Sequence, residues 1–262
     1  MKIDLTGKRA VVCGSTQGIG RAVANELAKS GATVILIARN SESLLKVRSE
    51  LSVAAGQSHD FIAADFSDAV AVQEKIATFV ATNPPVHVLV NNTGGPPAGP
   101  VLTAQPEEFE RAFSNHLICS HILTQAIVPG MKTEKYGRII NIISTSIKQP
   151  IKGLGVSNTV RAAVANWAKT LAEELGPFGI TVNNVLPGAT KTTRLESIIA
   201  NRAKTSGLAI EEIAHKMIAE IPAGRFAEPQ EIACAVAFLA SPAAAYINGI
   251  NLAVDGGRSQ CL

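Results

Sequence analysis

Apolar and polar positions follow two rhythms along the chain. Short apolar runs rich in β-branched residues recur, and longer stretches with apolar residues three and four apart follow most of them. The runs at 9–13, 32–38, 59–64, 86–90, 138–143, 180–186 and 250–254 predict seven strands. Helical spacing predicts helices at 21–30, 41–55, about 68–81, 106 to about 128, and about 157–175. Leu44, Leu45, Val47 and Leu51 carry the second of these, with Gly56 as its stop. Strand and helix alternate, which predicts an α/β fold: a Rossmann-type, doubly wound, seven-stranded, mostly parallel sheet with helices on both faces. The segment 193–221 sits apart, with two helical patterns around Ser206 and Gly207 inserted after the sixth strand. At the mouth of a sheet crevice such a segment reads as a substrate lid.

The first strand leads directly into glycines. Gly14, Gly18 and Gly20 lie between the run 9–13 and the helical pattern that opens at Arg21, making a strand, a tight turn and a helix start. Gly14 allows the turn, Gly18 leaves no Cβ where a pyrophosphate would approach, and Gly20 allows close helix–strand packing. Free N–H groups at the helix start would face the phosphates. An ordinary tight turn needs no second strand at this distance; the β-branched run 32–38, after Gly31 as C-cap, completes a nucleotide-binding βαβ unit.

Composition narrows the class. With 262 residues, 47% of them hydrophobic, the chain can bury a large core, and no linker, repeat or low-complexity tract divides it, so one domain over 1–262 is expected. The N-terminal MKIDLTGKRA has no apolar signal region and no run reaches a membrane span, so a cytoplasmic protein with no membrane partner is expected. Cys13, Cys119, Cys234 and Cys261 are scattered and read as reduced thiols. Basic residues number 24 and acidic 21, interspersed, so the pI of about 8.7 does not argue for nucleic acid, and an anionic small molecule suits the charge equally well. His59, His87 and His215 form no constellation, and His116 and His121 read as surface or interface residues of the long helix; no metal site is expected.

The polar residues after the strands carry a resemblance. Gly14-x-x-x-Gly18-Ile19-Gly20, Asn91-Asn92-Thr93-Gly94, Asn115, Ser144, Pro187-Gly188 with Thr192, and Val254-Asp255-Gly256-Gly257 occur in the order of the short-chain dehydrogenase/reductase family. The stretch 221–233, IPAGRFAEPQEIA, is similar to its 3-oxoacyl-acyl-carrier-protein reductase branch. The resemblance spans nearly the whole chain. It implies that Gly14, Ser15, Thr16, Gln17, Gly18, Ile19 and Gly20 hold a pyrophosphate and that Asp65 and Phe66 flank the adenine. It also implies that Asn91, Asn92, Thr93 and Gly94 meet the adenosine ribose side, and Pro187, Gly188 and Thr192 the nicotinamide. Asp65 reads alternatively as a helix N-cap, and Thr192 as a plain turn residue. At the end of the second strand Ala38 stands where an acid would accept the ribose 2′-hydroxyl of NAD, and Arg39 and Asn40 follow; Arg39 suits a 2′-phosphate, so NADP(H) is preferred over NAD(H). Gln17 departs from the basic residue that NADP-using members often carry.

One departure touches the chemistry. The family places Tyr-x-x-x-Lys thirteen positions beyond the catalytic serine; counted from Ser144, those positions hold Ser157 and Arg161. The only tyrosines, Tyr136 and Tyr246, are not placed to substitute. A phenol with an ordinary pKa near 10, lowered by a lysine, donates the proton in that family; an aliphatic hydroxyl is a far poorer acid. Arg161 keeps the charge and can fork to ribose hydroxyls, but is no proton source near neutral pH. Lys148 and Lys152 read as solvated loop charges. The resemblance therefore implies an NADP(H)-dependent oxidoreductase acting on a carbonyl or alcohol, with an acyl thioester among the candidates. Ser144 and Asn115 would be catalytic, Ser157 and Arg161 would form an altered dyad, and the chain would assemble as a homotetramer through the helix of Asn115, the helix of Ser157 and the seventh strand. The alternative is a catalytically silent NADP-binding sensor or scaffold.

Overall fold

Strand β1 (Arg9–Cys13) lies between two parallel neighbours, β2 (Thr33–Ala38) and β4 (Val88–Asn91), although β3 (Asp60–Ala63) comes before β4 in the chain. The computed structural model describes residues 3–261. Beyond β4 follow β5 (Gly137–Ile142), β6 (Ile180–Pro187) and β7 (Asn251–Val254), giving the order β3-β2-β1-β4-β5-β6-β7. Every pairing is parallel, so the sheet is parallel throughout rather than mostly so. The strand order reverses between β1 and β4, and a crevice opens at the carboxyl ends of strands on either side of such a switch.

Both faces of the sheet are covered, which is why its strands read as continuous apolar runs. Val12, Val34, Val88 and Ile140 pack on one face against α1 (Gly18–Lys29), α2 (Ser41–Glu50) and α9 (Pro229–Ala240). Val11, Ile35, Leu89 and Ile139 pack on the other against α3 (Ala69–Thr82), α5 (Cys119–Glu134) and α6 (Gly155–Leu175). Burying each such side chain contributes about 1.5–3 kcal/mol. Helices α7 (Thr193–Ser206) and α8 (Ile210–Ala219) close around a smaller core of their own, Leu195, Ile199, Ile213 and Met217, with the αL residue Gly207 between them. No helix among the described residues is long and apolar enough to cross a membrane.

Four departures from the expected elements have local causes. Helix α2 stops at Glu50 rather than 55: Leu51 turns extended and buries its side chain, and the Ser52 carbonyl beyond it meets His59 Nε2 at 2.9 Å. The helix expected over 106–128 is α4 (Pro106–Phe113), a π turn at Ser114–Ile118 and α5, which continues through Pro129 to Glu134. Its final turn is held by the Thr133 hydroxyl donating to the Pro129 carbonyl and by the left-handed Lys135. Helix α9 stands outside the expected elements; Pro229 begins it, and Glu228 and Glu231 form its capping box. Asp65 is not the cap of α3: Asp68 fills that position, accepting the Ala71 N–H at 2.9 Å.

Candidate active site

The turn after β1 has room for a ligand because side chains are missing from it. Gly14 and Gly18 have φ of 57° and 52°, which favours glycine. A Cβ on Gly14 would lie 2.7 Å from both the amide nitrogen and the carbonyl of Asn92, and one on Gly20 would lie 2.1 Å from the Gly14 carbonyl oxygen. The Asn92 amide donates to the carbonyls of Cys13 (3.2 Å) and Gly14 (3.4 Å), tying the end of β4 to the turn across the switch point. Helix α1 starts with Gln17 as an extended N-cap whose side chain makes no capping bond. Its first N–H groups therefore lack a side-chain cap, the condition in which a helix start accepts an anion. This cradle fits the phosphates of a dinucleotide.

A crevice of about 510 Å³ extends from that turn in both directions. Toward β2 and β3 it is lined by Arg39, Asp65 and Phe66. The Ser67 N–H donates to the Asp65 carboxylate at 3.0 Å and, with the Ser67 hydroxyl and nearby Arg39, holds that carboxyl below its ordinary pKa. Toward β5 and β6 it is lined by Asn92, Thr93, Gly94, Asn115, Ser144, Ser157, Arg161, Pro187, Gly188 and Thr192, and Thr16, Gln17 and Ile19 line its middle beside the turn.

Four of the residues expected to meet the cofactor lie outside this lining. Ser15 is fully buried and donates to the Ile37 carbonyl at 3.3 Å; Gly20 sits behind the turn against Gly14; Asn40 caps α2 by accepting the Ser43 N–H at 2.7 Å. Asn91 is buried on the sheet face opposite Val90. There it starts an amide ladder, Asn91 to Asn141, Asn141 to Asn184 and Asn184 to Asn251, with bonds of 2.9, 2.9 and 2.8 Å along the registered rows of β4, β5, β6 and β7. Thr192 is more than a turn residue: it is the N-cap of α7, accepting the Leu195 N–H, and its methyl faces Gly18.

At the far end, the residues that replace the phenol and lysine are joined. Arg161 Nε donates to the Ser157 hydroxyl oxygen at 3.3 Å, and its Nη1 donates to the carbonyls of Ile143 (2.6 Å) and Ile142 (3.1 Å) at the end of β5. Burial, and secondly Arg194, push the Arg161 pKa down to about 10, so it keeps its charge at neutral pH. Ser144 Oγ accepts the Ser146 N–H at 3.1 Å, which leaves its own hydrogen free. Asn115 stands on the π turn, where its amide donates to the carbonyls of Phe66 (2.7 Å) and Arg111 (3.2 Å). Tyr136 is remote, donating to the Ala240 carbonyl at 2.7 Å, and Tyr246 is fully exposed.

Two arginines here have no role among the residues expected from the sequence, and one histidine has a different place from the expected one. Arg194 and Arg202 line the crevice from α7. His116, expected at the surface, is buried: the π turn rotates it inward, where Thr93 Oγ1 hydrogen-bonds its Nδ1. Burial, with Arg161 and Arg194 nearby, lowers its pKa to about 3, so its ring is neutral. Among the described residues no three His, Cys, Asp or Glu side chains are grouped to hold a metal.

A family profile described as enoyl-(acyl carrier protein) reductase matches residues 14–259. The chain belongs to the short-chain dehydrogenase/reductase family. Within this dehydrogenase/reductase family it is 31% identical over 257 residues to the 3-oxoacyl-[acyl-carrier-protein] reductase of Vibrio harveyi, covering 97% of this chain and 98% of that protein. L-Sorbose reductase from Gluconobacter frateurii, solved with NADPH and L-sorbose, superposes with a TM-score of 0.92 at 30% identity over the whole of both chains. An actinorhodin polyketide ketoreductase solved with NADPH gives 0.89 at 32% identity, over 97% of each chain.

Proposed function

We propose that this short-chain dehydrogenase/reductase uses NADP(H) to reduce a small-molecule carbonyl or to oxidise the corresponding alcohol, with 3-oxoacyl thioesters as the first substrate class to try. One observation carries the proposal: a continuous crevice joins the glycine turn to Ser144, Asn115, Ser157 and Arg161. A protein that only binds a nucleotide needs neither Ser144 nor Asn115. The sorbose and polyketide reductases solved with NADPH, together with Arg39 beyond Ala38, support NADP(H) over NAD(H).

In this reading the turn at Gly14 and Gly18 and the start of α1 hold the pyrophosphate, and Arg39 meets the 2′-phosphate. Asp65 and Phe66 flank the adenine, Asn92, Thr93 and Gly94 meet the ribose, and Pro187, Gly188 and Thr192 place the nicotinamide. The bound cofactor supplies hydride chemistry. The chain's own part is to hold the charge that develops on the carbonyl oxygen. Ser144 and Ser157 each accept a hydrogen bond from protein, so each hydroxyl hydrogen can turn toward that oxygen. The charged Arg161 Nε–H polarises the Ser157 O–H, and preorganised donors of this kind are worth about 10²- to 10³-fold each. Water in the open crevice supplies the proton, with Asn115 as its anchor; the missing phenol lowers the rate by about 10²- to 10⁴-fold. Helices α7 and α8 act as the substrate lid of one domain, and the protein works in the cytoplasm as a homotetramer formed through α4 and α5, α6 and β7. A monomer in sedimentation analysis would remove the tetramer.

A second reading, a silent NADP-binding sensor or scaffold, is favoured by Arg161 committing Nη1 to the Ile142 and Ile143 carbonyls. Turnover of NADPH or NADP⁺ with a panel of ketones, 3-oxoacyl thioesters and alcohols separates the two. Turnover above a Ser144→Ala control supports the enzyme; none above it removes that reading.

A further inference from the structure

The substrate half of the crevice holds guanidinium groups with no carboxylate to balance them. Arg194, in the first turn of α7, reaches across the mouth and donates through Nη2 to the Pro96 carbonyl at 2.6 Å. Gly95 leaves room for it, since a Cβ there would lie 3.3 Å from the Arg194 guanidinium, a tight contact. Arg202 stands eight residues further along the same helix, a spacing that returns to the same side, and lines both the crevice and an adjoining cavity of about 930 Å³. No ion pair among the described residues includes Arg161, Arg194 or Arg202. Arg258, which also lines both spaces, is already matched by Glu220 at 2.6 Å. Asp65, at the adenine end, is the one acidic side chain lining the crevice among the described residues, and Glu220 the one lining the adjoining cavity.

Partly buried cations without counter-charges are unfavourable, and Arg194 adds to the burial that lowers the Arg161 pKa. The cofactor's phosphates, in the reading above, lie at the glycine turn and at Arg39. An anion on the substrate is then what satisfies the free faces of these guanidiniums, whose planar forks match carboxylate and phosphate oxygens. We propose that the substrate carries an oxyanionic group, a carboxylate or a phosphate ester, held by Arg194 and Arg202 while its carbonyl faces Ser144 and Ser157. This rests on the reading of the crevice as an NADP(H) reductase site. It makes the lid a charge filter: neutral ketones of the same shape are the poor ligands.

The test is calorimetric and needs no turnover. Short 2- and 3-oxo acids are titrated into the NADP⁺-loaded protein beside their methyl esters, and dihydroxyacetone phosphate beside dihydroxyacetone. At least one acid binds tighter than its neutral partner by about tenfold or more, and the pair that shows it identifies carboxylate or phosphate. Arg194→Gln and Arg202→Gln each remove most of that advantage without altering the NADPH affinity. Equal binding of acids and neutral partners, no binding of either, or an advantage that survives both substitutions overturns the proposal. Loss of NADPH affinity in Arg194→Gln assigns that guanidinium to the cofactor and also overturns it. Failure of the unmodified protein to bind NADPH is a different result: it defeats the reductase reading itself.

Discussion

Arg161 donates through Nε to the hydroxyl of Ser157, one helical turn earlier on α6, and anchors itself through Nη1 to the end of β5. The guanidinium is thus fixed by backbone atoms, and the serine is fixed by the guanidinium. If the Ser157 O–H is an oxyanion donor, Ser157→Ala lowers kcat by about 10²- to 10³-fold and leaves the NADPH Kd unchanged. Steady-state kinetics beside a cofactor titration checks this; an equal loss in both would make Ser157 a packing residue.

Gly20→Ala places a Cβ 2.1 Å from the Gly14 carbonyl oxygen, a backbone atom that cannot rotate away. The turn must open, so we expect about 1–3 kcal/mol of lost stability, together with weakened NADPH binding. Gly99→Ala is the control, because a Cβ there meets nothing within 4 Å. Thermal melts and NADPH fluorescence titration of both variants read the difference.

Arg39→Ala separates the two nicotinamide cofactors. A charge-assisted contact to a 2′-phosphate is worth about 1.5–3 kcal/mol, so NADPH affinity falls by about tenfold to a hundredfold while NADH affinity holds. Equal losses for both cofactors would show that Arg39 shapes the turn rather than reading the phosphate.

His116 makes stability depend on pH. Its pKa falls from the ordinary 6.5 to about 3 in the folded protein, chiefly by burial, so the unfolded chain binds a proton that the folded one does not. The contribution is complete above pH 6.5 and is lost as pH falls toward 3, at about 1.4 kcal/mol per pH unit. Urea unfolding of the native protein and of His116→Gln at pH 7 and pH 5 measures it: the gap between them narrows at the lower pH. A constant gap would mean that His116 titrates normally.

What could be read from the sequence tracks what each signal encodes. Strands covered on both faces are mostly apolar, so the runs at β1, β4, β5 and β6 and the glycine turn between β1 and α1 were legible even though Asn91, Asn141 and Asn184 interrupt three of them. Helix α9 was not, because IACAVAFLA packs against the sheet on one side and against its neighbour α1 on another and is apolar nearly all round, leaving no period of 3.6. Its Glu228-Pro229-x-Glu231 start was the available signal. Asn91 and Asn92 both matched the motif, but strand alternation sends one into the sheet and the other to the glycine turn. The π turn shifts the helix by one residue without any compositional mark, and with it the inward facing of His116. Arg194 and Arg202 look in sequence like the solvated charges of any surface helix; the lack of a carboxylate partner is a property of the folded site alone.

Whether the altered dyad supports hydride transfer is tested most directly by a single turnover. NADPH absorbance is followed with the protein in excess over a 3-oxoacyl thioester, for the native chain, for Ser144→Ala, and for the double variant Ser157→Tyr, Arg161→Lys. The native protein is expected to oxidise NADPH measurably faster than Ser144→Ala, and the double variant faster still by about 10²-fold or more. NADPH bound tightly by all three but oxidised only by the double variant would contradict it, and would make this chain a preserved dinucleotide scaffold whose own role is binding.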